Sequence, residues 1–166
     1  NRPVRDKQGQ LLSTVEEQIA RWREHFQEVL NRPPPENPPE LEPGNQLDIN
    51  MESISKQEIR KALKNLKTGK AAGADNIPPE VLKEGGPALI DRLHKLLNLV
   101  WTSGELPADW KKGLLVKLPK SGDLSQCKRW RGITLLSIPS KVLTRIMLDR
   151  MKDALDSKLR DEQAGF

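Results

Sequence analysis

The chain has 166 residues, 36% apolar and 31% charged, with a formal net charge of +5. That fits one compact domain or one and a half, with a real core and a wet surface. No apolar run approaches the roughly 20 residues of a membrane helix, which excludes a spanning protein, and the polar start Asn1-Arg2-Pro3-Val4-Arg5 carries no signal-peptide pattern.

In chain order, the first element is a helix over 13–30. Ser13 with Glu16 forms a capping box, and Thr14 with Glu17 offers a second register. Val15, Ile19, Trp22, Phe26 and Val29/Leu30 recur on one face at helical spacing. A proline-rich stretch follows, with six of the 13 prolines between 33 and 43. It excludes helix and central strand and reads as an extended linker. A second helix spans about 55–67, capped by Ser55 with Glu58, striped by Ile59, Leu63 and Leu66, and ended by Gly69. Gly69 to Asn76 is a small-residue loop in which Gly73 serves a tight turn. Pro78 and Pro79 open a short helix to Lys83. A long helix over about 87–103 turns Leu89, Leu93, Leu96/Leu97 and Val100/Trp101 inward, and Gly104 closes it.

The pattern then changes period. Gly113–Leu118 and Ile133–Leu136 are apolar runs of strand length, joined by a basic, turn-rich loop from Pro119 to Gly132. They predict an antiparallel hairpin with a long tip. Ser137 and Pro139 then open an amphipathic helix to about Leu159, with Val142/Leu143, Ile146, Met151 and Leu155 in its stripe.

Charge is uneven along the chain. Residues 111–160 hold 13 Lys/Arg against 4 Asp/Glu, a local +9, while the remainder is net acidic. Clustered cations favour a polyanion through phosphate neutralisation and counterion release; the alternative is a solvated face.

Several chemistries lack support. A single cysteine, Cys127, excludes an internal disulfide, and with His25 and His94 it offers at most three zinc ligands without recognisable spacing. Gly69-Lys70 is not a Walker A loop, because Lys64 stands where its first glycine belongs and Ala71 follows the lysine. No Ser-His-Asp or Cys-His arrangement is visible, and no two aspartates are adjacent. His25 and His94 read as helix residues and Cys127 as a small loop residue.

The segment Leu118-Pro119-Lys120-Ser121-Gly122-Asp123, followed by Cys127-Lys128-Arg129-Trp130-Arg131-Gly132-Ile133-Thr134-Leu135-Leu136-Ser137, resembles the fingers of reverse transcriptases of non-LTR (LINE-type) retrotransposons. Those read P-K-K-G-D, a spacer, C-x-N-[YW]-R-[PG]-I-[ST]-L-L-S, then a helix opening K-[VI]. Lys141-Val142-Leu143 with Arg145-Ile146 matches that helix, and Gln163-Ala164-Gly165-Phe166 resembles the start of the next motif. Upstream, Gly69–Pro78 resembles G-K-[AS]-x-G-P-D-G-[IL]-P, Leu106–Trp110 resembles L-P-x-x-W, and Trp22–Phe26 resembles the preceding helix. Departures are Ser121 for a lysine, Arg129 for an asparagine, and Ala74 and Asn76 for Pro and Gly. Asn76 tolerates positive φ, so the turn is expected to survive.

The resemblance implies an α+β, predominantly helical fold: the fingers of a right-hand polymerase with one antiparallel β-hairpin. It divides the chain into an N-terminal helical extension (1–32), a Pro-rich linker (33–50) and a partial reverse transcriptase domain (51–166). It places the phosphates of an incoming deoxynucleoside triphosphate on Lys120 and Arg131, with Lys117 as a second candidate on the face of Lys120. Charge-assisted contacts suit a triphosphate. Lys67, Lys70, Lys111, Lys112, Lys128, Arg129 and Trp130 are the candidates for an RNA or RNA–DNA hybrid, with hairpin packing as the alternative for Trp130.

In the family the palm carboxylates that hold two divalent metals, Mg²⁺ for the full-length parent, lie downstream of Gln-x-Gly-Phe. Asp75 and Asp123 read as turn formers. The chain, which starts at Asn1 and ends at Phe166, is therefore expected to be a piece of an RNA-directed DNA polymerase that needs no cofactor itself and extends no primer alone. Its expected partners are template, nucleotide and the parent's palm, with self-association through apolar faces of the last helix; a nuclear or cytoplasmic location is expected. Two other readings are a stand-alone nucleic-acid-binding remnant and a helical interaction module.

Overall fold

In a computed structural model, residues 3–38, 40, 44, 46–156 and 158 are described. Among the described residues, five helices and a two-stranded antiparallel sheet make the fold α+β. The elements are α1 (Val15–Leu30), α2 (Lys56–Lys64), α3 (Pro79–Glu84), α4 (Gly86–Ser103), β1 (Leu114–Pro119), β2 (Trp130–Leu135) and α5 (Ile138–Asp156). Single 3₁₀ turns lie at Ala108–Lys111 and Cys127–Arg129. No described helix is long and apolar enough to cross a membrane. The Gln163–Phe166 motif and Leu159 lie outside the described residues.

The chain forms two compact units, each drawn from two stretches. The first joins the N-terminal region, up to 43, with residues 115–134. α1 opens in the second capping register: Thr14 Oγ1 accepts the Glu17 N–H and Glu17 returns to the Thr14 N–H, rather than Ser13 with Glu16. Before it, residues 4–12 make a small turn that the sequence pattern did not show. The Asp6 carboxylate accepts the Gln10 N–H, Gly9 takes φ +91°, and Arg5 bridges Leu11. This turn is fastened to the loop after β1, where the Arg5 N–H donates to Ser125 O at 2.8 Å and Val4 is fully buried.

The second unit holds the main core. Ile54 and three residues of α2 (Ile59, Ala62, Leu63) pack with Leu82, with Leu93, Leu97 and Val100 of α4, and with Ile138, Val142, Leu143 and Ile146 of α5. α2 stops at Lys64, three residues earlier than the apolar stripe suggests, and Leu66 still packs on the core from the loop. Gly104 closes α4 in the left-handed region at φ +69°. Two polar clamps bind the segment before α2. Asn98 of α4 takes both backbone groups of Ile54, accepting its N–H at 2.8 Å and donating to its carbonyl at 2.9 Å. Arg150 of α5, whose side chain is 6% exposed, forks onto the Glu58 carboxylate at 2.6 and 3.0 Å. It also donates to the carbonyls of Asn50, Glu52 and Ser53.

Candidate nucleic-acid interface

The hairpin register follows from one bond: the Lys120 N–H donates to Arg129 O at 2.8 Å. Residue 120 therefore faces 129, 118 faces 131, and 116 faces 133, which pairs the six residues of β1 with the six of β2 end to end. Side chains alternate across a strand. One face carries Leu115, Lys117, Trp130 and Gly132 and receives α1. A Cβ on Gly132 would stand 2.7 Å from the Phe26 ring, so glycine lets that ring lie on the strand. The other face carries Val116, Leu118, Arg131 and Ile133, all exposed.

Under α1 an aromatic cluster forms. Trp22 stacks on Phe26 at 5.9 Å and 22°, and meets Trp130 edge-on at 5.5 Å. The Trp130 indole N–H donates to Leu124 O at 3.0 Å. The Lys117 ammonium sits 4.3 Å from the Trp22 ring centroid and 5.4 Å from that of Trp130, a cation–π geometry. Lys117 is thus turned toward α1 and away from Arg131. An odd spacing of three from Lys120 already denies the two lysines a shared face on a regular strand, which corrects the reading of Lys117. His25 meets both Trp22 and Phe26 edge-on. Burial, then the nearby charges of Arg21 and Lys120, lowers its pKa, so it stays neutral at physiological pH.

The tip of the hairpin is ordered by Asp123. Its carboxylate accepts the Ser125 N–H at 3.0 Å, the Ser125 hydroxyl at 2.7 Å and the Gln126 amide at 2.9 Å, and these bonds hold its pKa down. Gly122 takes φ +102° with the Arg129 side chain lying against it. Lys120, Lys128, Arg129 and Arg131 are exposed without an ion-pair partner among the described residues. Cys127 is buried, and burial pushes its thiol pKa up, which disfavours the thiolate.

Four candidates belong to the second unit. Lys67 and Lys70 are exposed on the loop after α2. That loop is held from α3, where Lys83 Nζ donates to Leu66 O at 2.8 Å and Glu80 accepts the Gly69 N–H. Asp75 accepts the Ile77 N–H at 3.1 Å, and Asn76 takes φ 55°, so the turn survives there in the left-handed region. Lys111 and Lys112 are exposed at the 3₁₀ turn before β1, with Lys112 3.5 Å from Asp109. Among the described residues no three His, Cys, Asp or Glu converge to hold a metal. Asp75 Oδ1 and both carboxylate oxygens of Asp123 are taken by these local turn bonds.

No protein-family model matches the chain. Curated relatives do, and all are retrotransposon or transposon proteins. The probable RNA-directed DNA polymerase from transposon BS of Drosophila melanogaster is 28% identical over 99% of this chain and 19% of its own length. The Pol polyprotein from type-1 retrotransposable element R2 of Popillia japonica is 30% identical over 68% of the chain and 15% of its own length. The 149 kDa protein of transposon TX1 of Xenopus laevis is 30% identical over 67% and 8%. The chain thus spans under a fifth of each of these three relatives. Its homologues are proteins of non-LTR retrotransposons. More narrowly, they mark it as a reverse-transcriptase-related region, aligned nearly end to end with an RNA-directed DNA polymerase.

Proposed function

We propose that this chain is the fingers part of such a polymerase, gripping the phosphates of an incoming deoxynucleoside triphosphate and the backbone of the template–primer, and that it transfers no nucleotide alone. The observation that carries the reading is the hairpin. Arg131 is displayed on an exposed face beside Leu118 and Ile133, two pairs from a tip bearing Lys120, Lys128 and Arg129. Same-face neighbours in a strand are about 7 Å apart, a span that cationic side chains can close around a triphosphate. Lys67, Lys70, Lys111 and Lys112 are backbone contacts in this reading. Trp130 serves the fold, because its face and its N–H are both engaged.

The test is a titration of an RNA–DNA hybrid at two salt concentrations. Wild type is expected to bind at low salt and weaken steeply as salt rises. Lys120→Ala with Arg131→Ala should weaken binding at least about tenfold and reduce the salt slope by about two, roughly one per lost phosphate contact. Equal binding by the double variant would show that the hairpin is not the contact. Given primer–template, Mg²⁺ and nucleotides, the purified chain is expected to extend nothing; measurable extension would overturn the division of labour.

A further inference from the structure

The turn at 4–12 has no part in the reading above, yet it holds the hairpin tip. Residues 120–129 carry Lys120, Lys128 and Arg129 against one acid, Asp123. Like charges this close repel, and Gly122 at φ +102° adds backbone freedom. Such a loop needs a brace if it is to present one arrangement to a ligand. Asp123 supplies bonds from within. Among the described residues, the hydrogen bonds that reach 121–128 from outside the hairpin come from Arg5 alone. Its N–H donates to Ser125 O at 2.8 Å, and its Nε donates to Ser125 Oγ at 3.1 Å.

The turn is itself firmly set. The Leu12 N–H donates to Val4 O and the Asp6 N–H to Gln10 O, both at 2.9 Å. Val4 is fully buried, and Lys7 pairs with Glu24 of α1 at 2.7 Å and with Glu28. Burial and pairing of this kind distinguish it from a frayed chain end. The Arg5 guanidinium is fixed from both sides, because Nη1 donates to Gly9 O at 2.8 Å while Nε holds Ser125. The Ser125 hydroxyl passes the connection on, donating to Asp123 at 2.7 Å.

We propose that Arg5 is a positioning residue for phosphate binding: through Ser125 and Asp123 it keeps the tip in the form in which Lys120, Lys128 and Arg129 meet a nucleic-acid backbone. The proposal rests on the hairpin reading given above. Its energetic logic is pre-organisation, since a loop ordered beforehand loses less entropy on binding. If only a fraction of molecules hold the competent tip, the apparent Kd is the intrinsic one divided by that fraction. The number of phosphate contacts in the complex is unchanged, and so is the salt slope. That separates positioning from a direct contact by the Arg5 charge.

The RNA–DNA hybrid titration at two salt concentrations, joined to amide exchange, tests this on the whole chain. Arg5→Ala is expected to weaken binding about fivefold with the wild-type salt slope. Exchange should quicken across 121–128 and stay unchanged in α2 and α5. Arg5→Lys keeps the charge but cannot hold Gly9 and Ser125 together, so it should recover little. Ser125→Ala should weaken binding similarly, and combining it with Arg5→Ala should add less than about twofold, because both remove one connection. Full recovery by lysine, or a slope lower by about one, would assign Arg5 to direct phosphate contact instead. Faster tip exchange with wild-type affinity would make the brace structural only, and unchanged exchange would remove it. A loss in Lys120→Ala with Arg131→Ala but none in Arg5→Ala sinks this inference alone. No loss in either sinks the hairpin reading and this inference with it.

Discussion

Arg150→Ala is expected to destabilise the second unit by about 3 kcal/mol or more, the scale of breaking a buried ion pair from one side. The loss has two parts. The guanidinium supplies donors to three carbonyls of the segment 50–53 as well as to Glu58. Its plane also lies 5.1 Å from the Trp101 ring, whose own N–H holds Met51 O at 3.2 Å. Lysine keeps the charge but cannot fork onto a carboxylate, so Arg150→Lys should recover only a minor share. Urea unfolding followed by Trp101 fluorescence, with amide exchange in α2 and α5 as the local readout, decides it. A variant within 0.5 kcal/mol of wild type, on the scale of an ordinary surface change, would show that the clamp is incidental.

Glu58 gives the same contact a pH signature. Hydrogen bonds from Arg150, then from Ser55, hold its carboxyl at about 2 against an ordinary 4.5. A depressed acid binds its proton more readily in the unfolded chain, so it stabilises the fold fully above about pH 4.5. That contribution drains away as pH falls toward 2. The shift corresponds to an upper bound of about 3.4 kcal/mol, which solvent screening of the 28% exposed side chain reduces. Wild type should therefore lose stability steeply over that window, and Arg150→Ala or Glu58→Gln should flatten the loss. An unchanged acid limb in both variants would mean that Glu58 is not the titrating group.

These two residues show where sequence reasoning reaches and where it stops. Ser55 and Glu58 are three apart and declare themselves as a capping box, which α2 uses. Glu58 and Arg150 are 92 residues apart, and nothing in the pattern of α5 separates Arg150 from Arg145, which pairs locally with Asp149. Helical period, caps and prolines placed α3, α4, α5 and the hairpin well, because those signals are local. The end of α2 was overrun because Leu66 continues the apolar stripe while packing from a loop. The turn at 4–12 was missed because its partner, Ser125, is supplied by a distant segment.

The candidate interface was legible to a similar depth. Clustered charge and motif spacing put Lys120, Lys128, Arg129 and Arg131 on a hairpin, and the hairpin is there. Which face each side chain takes depends on register. Register put Lys117 under α1, where it serves the aromatic cluster. The turn-forming roles of Asp75 and Asp123 came directly from residue chemistry, since short carboxylates bond their own backbone two residues on.

Gly73→Ala is the second substitution expected to act strongly, and for a reason other than the turn it was first assigned to. Gly73 does begin that turn, its carbonyl accepting the Asn76 N–H at 3.1 Å, but the left-handed residue is Asn76. What demands glycine at 73 is proximity. A Cβ there would stand 2.6 Å from Leu136 C and O and 2.7 Å from Ser137 N. All three are backbone atoms at the entry to α5, where Ser137 and Ile138 are buried, so no side chain can swing aside. The G-K-x-x-G loop and the L-L-S segment thus meet main chain to main chain, although they are over 60 residues apart. Alanine must push the loop off α5 or tilt the helix, at about 3 kcal/mol, the upper range for overpacking. Gly69→Ala is the control. It has open space around it and φ +67°, so it should cost only the left-handed strain of about 1–2 kcal/mol. Amide exchange should then rise across 70–76 and the first turn of α5 in Gly73→Ala, and stay near wild type around Ser137 in Gly69→Ala. If both variants behave alike, the two motifs are not held by this contact.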